Sequence, residues 1–367
     1  MSTCVLFVTN ADEAGAPRHV EYLSRSLRKH CRLVIVFGSD GPVCRRLKRK
    51  GYLVFVLGNL YSSLSVIQDF QSFFKLFRLL KKLNVDIIHC HSSKAALLGR
   101  LAALFLRKPW VYTVHGWGWR GLPFIKYIFV YFVEFIMSYV PNGSYICVST
   151  EVAKIAFKAL PINRNRIRVI YNGVPDSASS LIGGHLFNES TQIVILMAAR
   201  VCSAKDHDSL LCAFEKWNNN NSLLQLCGSG TDSSDFISHA QQLAPNSFSR
   251  ISFLGQRSDV DALIHHADIV VLTSHYEALP LFIIESMRSG KPAIATKLAG
   301  LSELIIQNSS GFLVGVGQIN EIVEALELLS SPETRKAMGS NARSRYLKYF
   351  NAEDKGFEVY NVYKLLL

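Results

Sequence analysis

Short apolar runs alternate with longer amphipathic stretches from the start of the chain. Residues 3–9 (TCVLFVT), 32–37 (RLVIVF), 52–57 (YLVFVL) and 85–90 (VDIIHC) are nearly all apolar, while the stretch from about 17 and the longer one at 64–83 repeat their apolar positions with a helical period. Strands without polar alternation are buried on both faces, so runs of this kind joined by helices predict a parallel sheet covered on both sides. The rhythm continues through 110–114, 145–148 and 167–170 and breaks at Asn172-Gly173-Val174-Pro175 and the small, polar residues 177–184, which read as an interdomain linker. A second series follows at 192–199, 223–227, 251–254, 269–273 and 292–296. The expectation is an α/β chain of two Rossmann-like, doubly wound domains, 1–173 and 185–346. Ligands of such sheets lie outside the carboxyl ends of the strands, which for two facing domains means a cleft between them.

Composition narrows the class. A chain of 367 residues with 49% hydrophobic and 19% charged residues and no long biased tract is globular and long enough for two cores. The eight cysteines stand singly, without zinc or dithiol spacing, and read as core residues in a reducing cytosol. Met1-Ser2-Thr3 runs directly into the first strand without the features of a signal peptide, so a cytoplasmic protein is expected. The net charge of +12 is divided unevenly: residues 1–172 hold 25 Lys/Arg against 8 Asp/Glu, and residues 173–367 hold 15 against 20, or +17 and −5. The first half is therefore suited to an anionic partner, which charge alone leaves open among nucleic acid, anionic lipid and a polyphosphate. No nucleic-acid recognition module accompanies the basic residues.

Two segments carry chemistry. The run 192–199 ends in Arg200, and Lys205 precedes a helix patterned by Leu210, Leu211, Phe214 and Trp217. A pair of cations beside a helix start suits a pyrophosphate, both bound and as a leaving group; taken alone, the same pair reads as solvated loop charges. The second segment, 275–285 (HYEALPLFIIE), follows the strand 269–273 directly. Pro280 suits a first helical position, which puts Glu277 in the preceding loop and Glu285 about one turn inside. A sugar nucleotide along this helix end meets a carboxylate for sugar hydroxyls, free N–H groups for phosphate and a second carboxylate for ribose.

With these segments in place, the chain resembles a retaining glycosyltransferase of family 4, of GT-B fold and bacterial surface-polysaccharide type, nearly end to end. Residues 14–19 (AGAPRH) resemble the family's first glycine-rich loop, Thr113-Val114-His115-Gly116 its histidine loop, and 147–149 and 169–174 the end of its first domain. Arg200 with Lys205, Gly228-Ser229-Gly230 and Glu277 to Glu285 resemble the donor site, and the last helix (about 347–367, with its matching part around 353–366) the segment that crosses back onto the first domain. The resemblance implies that Arg200 and Lys205 hold the donor diphosphate, with Gly15, Ala16, Gly228, Ala278, Leu279 and Pro280 also at the donor. It implies that Glu277 and His115 touch the transferred sugar as catalytic residues, and that Glu285 contacts the ribose. Acceptor contacts are assigned to His91, Trp117 and Trp119. The chain departs from the family at Ala14, Asp206 and Ala278, where glycine is frequent.

The implied activity is transfer of a sugar from a nucleotide-diphosphate sugar, a UDP-sugar, to a polyprenyl-diphosphate-linked oligosaccharide in O-antigen, capsule or exopolysaccharide synthesis. The enzyme is expected on the cytoplasmic face of the membrane, docked through its basic half, without nucleic acid and without a metal cofactor. The alternatives are a GT-B sugar-nucleotide epimerase and a non-catalytic nucleotide-sugar-binding protein. Asp206-His207-Asp208 and Asp259-Val260-Asp261 have metal-ligand spacing but read as acidic first turns of helices. His89-x-His91 ends a strand without further ligands and reads as packing or acceptor loop. Residues 122–140 approach the apolarity of a membrane span, but Lys126 and Glu134 interrupt them, so a buried or interfacial helix is expected.

Overall fold

The apolar runs of the first half become seven parallel strands: β1 (Thr3–Val8), β2 (Arg32–Phe37), β3 (Leu53–Val56), β4 (Ile87–Cys90), β5 (Trp110–Val114), β6 (Gly143–Cys147) and β7 (Ile167–Val169). They are ordered β3-β2-β1-β4-β5-β6-β7. Six helices connect them, α1 (Gly15–Leu27), α2 (Pro42–Arg49), α3 (Val66–Leu83), α4 (Ser93–Leu106), α5 (Phe124–Met137) and α6 (Thr150–Ala159). In this computed structural model residues 2–9, 11–12, 15–58, 60, 66–119, 122–176 and 192–367 are described; Ala14 and residues 177–184 of the expected linker lie outside them.

The second half repeats the plan in six parallel strands, β8 (Ile193–Ala198), β9 (Ser222–Cys227), β10 (Ile251–Gly255), β11 (Ile269–Leu272), β12 (Ala293–Thr296) and β13 (Gly311–Val314), ordered β10-β9-β8-β11-β12-β13. Its helices are α7 (His207–Trp217), α8 (Ser234–Leu243), α9 (Val260–His266), α10 (Leu281–Arg288), α11 (Ala299–Ser302), α12 (Ile319–Leu328) and α13 (Pro332–Tyr349). The last helix, α14 (Ala352–Leu366), returns to the first half. The chain thus divides into one unit of residues 1–175 with 352–367 and another of 176–351. The expected closing helix is shorter at its start, because residues 347–349 finish α13 and the Ala352 N–H donates to the Val174 carbonyl at 3.0 Å.

In each sheet the order reverses once, between β1 and β4 in the first unit and between β8 and β11 in the second. Chain crossings leave on opposite sides of such a point, so the loops at its carboxyl end part and leave room for a ligand. In the first unit, α1 and α14 cover one sheet face, where Leu6, Ile87 and Val111 pack with Val20, Leu23, Val359 and Tyr363. Ser92 and Ser149 cap α4 and α6 through the Ala95 and Val152 N–H groups, fixing both helix starts directly after β4 and β6.

Candidate functional site

The reversal point of the second sheet gathers the residues expected at a donor. Arg200 follows β8 by two residues and is exposed, and Lys205 ends a single 3-10 turn, Ser203–Lys205. The segment after β11 straps this turn in place: the His275 N–H donates to the Ala204 carbonyl at 3.0 Å and Thr273 Oγ1 to the Asp206 carbonyl at 2.7 Å. Lys205 Nζ forms an ion pair with Glu277 Oε1, which also accepts from Ser274 Oγ at 3.1 Å. The cation assigned to phosphate and the carboxylate assigned to sugar are therefore direct partners. Ser274 and Thr273 did not emerge from the sequence reading; their signal was their place immediately after the strand 269–272.

Pro280 sits one position earlier than expected, ahead of α10 with ψ 128, and no side chain caps the helix. The first-turn N–H groups thus lack a side-chain partner among the described residues, and Glu285, the fifth residue of α10, is buried. Ala278 and Leu279 are buried in the loop. Gly300, also missed from sequence, explains how that loop is held: a Cβ there would lie 1.8 Å from the Ala278 carbonyl oxygen, so only glycine lets α11 pack on the Glu277-Ala278 backbone. Gly228 has φ 140, and a Cβ there would lie 2.2 Å from the Ala199 carbonyl oxygen, next to Arg200. Its task is close backbone packing beside the cation.

Asp206, standing where the family often has glycine, adopts φ 24, a conformation that glycine takes most cheaply. Its side chain offsets this by capping α7, Oδ1 accepting from the Ser209 N–H at 3.2 Å and Oδ2 from Ser209 Oγ at 2.7 Å. The other acidic residues of the two triplets are also engaged. Asp208 meets His239 at 3.1 Å, Asp259 holds Arg257 at 2.8 and 2.7 Å, and Asp261 pairs with Arg288 at 3.1 Å.

The reversal point of the first sheet holds histidines. His89 of β4 and His91, which follows the strand's last residue, have ring centroids 4.1 Å apart. His89 is a saturated core residue, with Nδ1 2.6 Å from the Tyr363 hydroxyl of α14 and Nε2 2.7 Å from Thr113 Oγ1. His91 is joined instead by His19 from α1, at 5.5 Å between centroids, and by His115 from the loop after β5, at 5.9 Å. His19 and His115 are 4.7 Å apart, edge to face. Sequence had shown no companion for His91 beyond His89; the fold brings two more imidazoles beside it. Burial pushes the His19 ring down to about 4 and those of His91 and His115 well below the ordinary histidine value, so these imidazoles are neutral at pH 7. Gly15 and Ala16 open α1, Gly15 exposed with open space around the position a Cβ would take.

Trp117 and Trp119 require a correction. They are 2% and 4% exposed and stacked with centroids 4.6 Å apart, and Trp117 Nε1 donates to the Val152 carbonyl at 2.9 Å. With both rings buried and the Trp117 donor engaged, the acceptor assignment of the two tryptophans is withdrawn. The helix that follows is the reverse case: α5 buries only Glu134, while Phe124 and Ile125 are 75% and 83% exposed. Glu134, which looked in the sequence like an interruption of an apolar run, turns inward and grips Arg100 through two hydrogen bonds of 2.7 Å. Among the described residues no helix is long and apolar enough to cross a membrane. The basic cluster on α2 is partly neutralised, because Arg46 and Lys50 pair with Glu21 at 2.6 and 2.7 Å and Arg45 with Asp40 at 2.8 Å. Burial alone would raise the Glu21 carboxyl, but Arg46 and Lys50 hold it below its usual value.

Comparison with known proteins adds a family to this geometry. Residues 14–178 match the model of Glycosyltransferase Family 4, and residues 185–345 that of Glycosyl transferases group 1. A UDP-Gal:alpha-D-GlcNAc-diphosphoundecaprenol alpha-1,3-galactosyltransferase of Escherichia coli is 28% identical over 84% of this chain and 83% of its own. The capsular polysaccharide biosynthesis glycosyltransferase CapM of Staphylococcus aureus is 24% identical over 93% and 92%. Among solved structures, Anabaena Alr3699/HepE in complex with UDP and glucose superposes with a TM-score of 0.83 at 19% identity, covering 99% of this chain and 100% of that one. Likeness at that identity establishes the GT-B fold.

Proposed function

Because the chain belongs to the glycosyltransferases, with a family 4 domain followed by a group 1 domain, we propose that it transfers a hexose from a UDP-sugar, with retention, to a polyprenyl-diphosphate-linked oligosaccharide during synthesis of a surface polysaccharide. The observation that carries this reading is the grouping of Arg200, Lys205, Glu277 and the uncapped start of α10 at the reversal point of the second sheet. The relatives' names support the substrates, a UDP-sugar and a diphosphoundecaprenol-linked acceptor in one, capsule synthesis in another.

In the reaction, the bond from the sugar's anomeric carbon to the β-phosphate oxygen breaks, and an acceptor hydroxyl oxygen bonds to that carbon from the same face. The hydroxyl proton passes to the departing UDP. Arg200, Lys205 and the first N–H groups of α10 meet the growing diphosphate charge, which assigns them the work a divalent ion does in other folds. Binding of that diphosphate releases Glu277 from Lys205, freeing the carboxylate for the sugar's hydroxyls while Ser274 keeps it oriented. We assign His115 to the same sugar as a neutral hydrogen-bonding group and Glu285 to the ribose; His91, buried like the two tryptophans, is left out of the acceptor contacts.

Work on a lipid-linked acceptor calls for the enzyme at the inner face of the membrane, and the relative's diphosphoundecaprenol acceptor supports that reading. Exposed Phe70 and Phe74 of α3, Phe105 of α4 and Phe124, Ile125, Phe129 and Phe132 of α5, with the exposed Lys75, Arg78, Lys81 and Lys82, form the surface assigned to the bilayer. Purified enzyme given labelled nucleotide sugars and lipid-linked acceptor saccharides is expected to form one glycolipid product whose new linkage keeps the donor's α configuration by NMR. An inverted linkage removes the retaining assignment, and turnover of the nucleotide sugar to an epimer without acceptor removes the transferase reading.

A further inference from the structure

Three imidazoles converge at the carboxyl end of the first sheet from three separate elements, His19 from α1, His91 after β4 and His115 after β5. One nitrogen of each lies within 4.8 Å of the others. The nitrogens of His19 and His91 and Nε2 of His115 are buried with no hydrogen-bond partner among the described residues. Buried donors and acceptors are nearly always paired, because each unpaired one forfeits its bond to water, and five unpaired nitrogens on three neighbouring imidazoles are a large exception. The fourth histidine shows what satisfaction looks like here: His89 finds partners for both nitrogens in Tyr363 and Thr113.

We propose that His19, His91 and His115 form a binding site for a divalent first-row transition metal, Zn2+ foremost, and that its occupancy inhibits the enzyme. Three imidazoles and one open position are a ligand set zinc accepts, and imidazole nitrogen, unlike carboxylate oxygen, discriminates in favour of zinc over magnesium and calcium. No acidic residue takes part, so the site is distinct from the Asp206 and Asp259 triplets, whose carboxylates are engaged in capping and ion pairs. Zinc–imidazole bonds of about 2.0–2.1 Å require the rings to draw closer than they stand, through small side-chain rotations. The His91 backbone is anchored for this, its N–H donating to the Phe7 carbonyl at 2.9 Å. The inhibitory consequence rests on the role proposed above for His115: a ring bound to metal is withdrawn from the sugar.

The test uses tag-free, chelator-treated full chain titrated with Zn2+ by calorimetry and with Co2+ by visible absorption. Expected are one high-affinity Zn2+ per chain, a tetrahedral Co2+ spectrum, and for His19→Gln a loss of affinity exceeding the roughly 10–100-fold typical of removing an outer-shell partner. His91→Asn provides the same measurement if His19→Gln does not fold. Unchanged affinity in a folded variant of either histidine, or no binding by the folded wild type, overturns the site. Zinc is expected to depress transfer by the wild type and to leave the rate of His19→Gln at its zinc-free value. Stoichiometric zinc without inhibition overturns the inhibitory half and the assignment of His115 to the sugar, whereas absence of zinc binding beside a turnover defect in His115→Ala overturns the metal site alone.

Discussion

Lys205→Ala, Glu277→Ala and the double variant separate service to the reaction from service to the fold. The two side chains are 22% and 11% exposed, between a surface pair and a buried one. Breaking the pair from either side is therefore expected to cost about 1–3 kcal/mol of stability, between the small value of exposed pairs and the several kcal/mol of buried ones. That lowers the melting temperature of the second unit by roughly 2–12 °C, at about 2–4 °C per kcal/mol for a domain of this size. The cost to turnover has a separate origin. A fixed cation facing charge that develops on a leaving diphosphate is worth about 2–4 kcal/mol, or roughly 30- to 900-fold in kcat. Because Lys205 and Glu277 are direct partners, the double variant is expected to fall short of the summed single effects by about 1–3 kcal/mol. Steady-state transfer to a lipid-linked acceptor, UDP titration and a thermal melt on each variant supply the cycle. A folded Lys205→Ala enzyme turning over within about threefold of wild type, below what the lost charge stabilisation demands, refutes the donor-site assignment.

Glu134→Ala leaves Arg100 charged in the core without its bidentate partner and is expected to cost about 3–5 kcal/mol, a good part of which returns in Arg100→Met/Glu134→Leu; chemical denaturation measures both, and a loss under 1 kcal/mol contradicts the desolvation reasoning. At Asp206, Asp206→Ala loses the cap of α7 and keeps the strained φ, whereas Asp206→Gly trades one against the other, so the alanine variant is expected to be the less stable by about 1 kcal/mol. Histidines buried neutral make the first unit acid-labile. With His19 pushed down to about 4, the unfolded chain binds a proton that the fold refuses, so stability is full above the ordinary histidine pKa near 6.5 and falls as pH drops from there toward 4, by about 2–4 kcal/mol for His19 alone; melts at pH 7.5 and 5 that coincide contradict this. Liposome flotation is expected to show binding to anionic vesicles that weakens with salt and with Phe124→Ser/Ile125→Ser, and equal failure on neutral and anionic vesicles at low salt removes the docking surface.

The positions of Arg200, Lys205 and Glu277 were legible, because a parallel sheet carries residues just past its strand ends to one edge, and each follows β8 or β11 by a few positions. The strands were legible for the same reason of continuous apolarity, except β13, whose four residues GFLV begin on a glycine and follow a polar turn. His19 was quoted only as part of a loop motif, since nothing in a helical position tells that it will face His115 from another element. Trp117 and Trp119 were assigned to the acceptor, but tryptophan serves binding surfaces and cores alike, and neither their burial nor the Val152 carbonyl that accepts from Trp117 follows from sequence spacing. Glu134 misled in the opposite direction. A charge in an apolar helix suggests a solvated flank, whereas here its partner Arg100 lies 34 positions away, inside the unit.

Helix α14 has a consequence for how the protein comes into being. Val359, Val362 and Tyr363 close the core that β1 and α1 begin, yet on a ribosome they are made only after residues 176–351 have been joined. The unit whose synthesis starts first is thus the one whose apolar face waits longest for its cover, while the intervening unit has every one of its strands in hand before the growing chain reaches Ala352. Newborn chains pass through an interval in which the sheet bearing His89 lacks the hydroxyl that later satisfies it, and in which the nascent surface to be kept from aggregating belongs to the amino-terminal half.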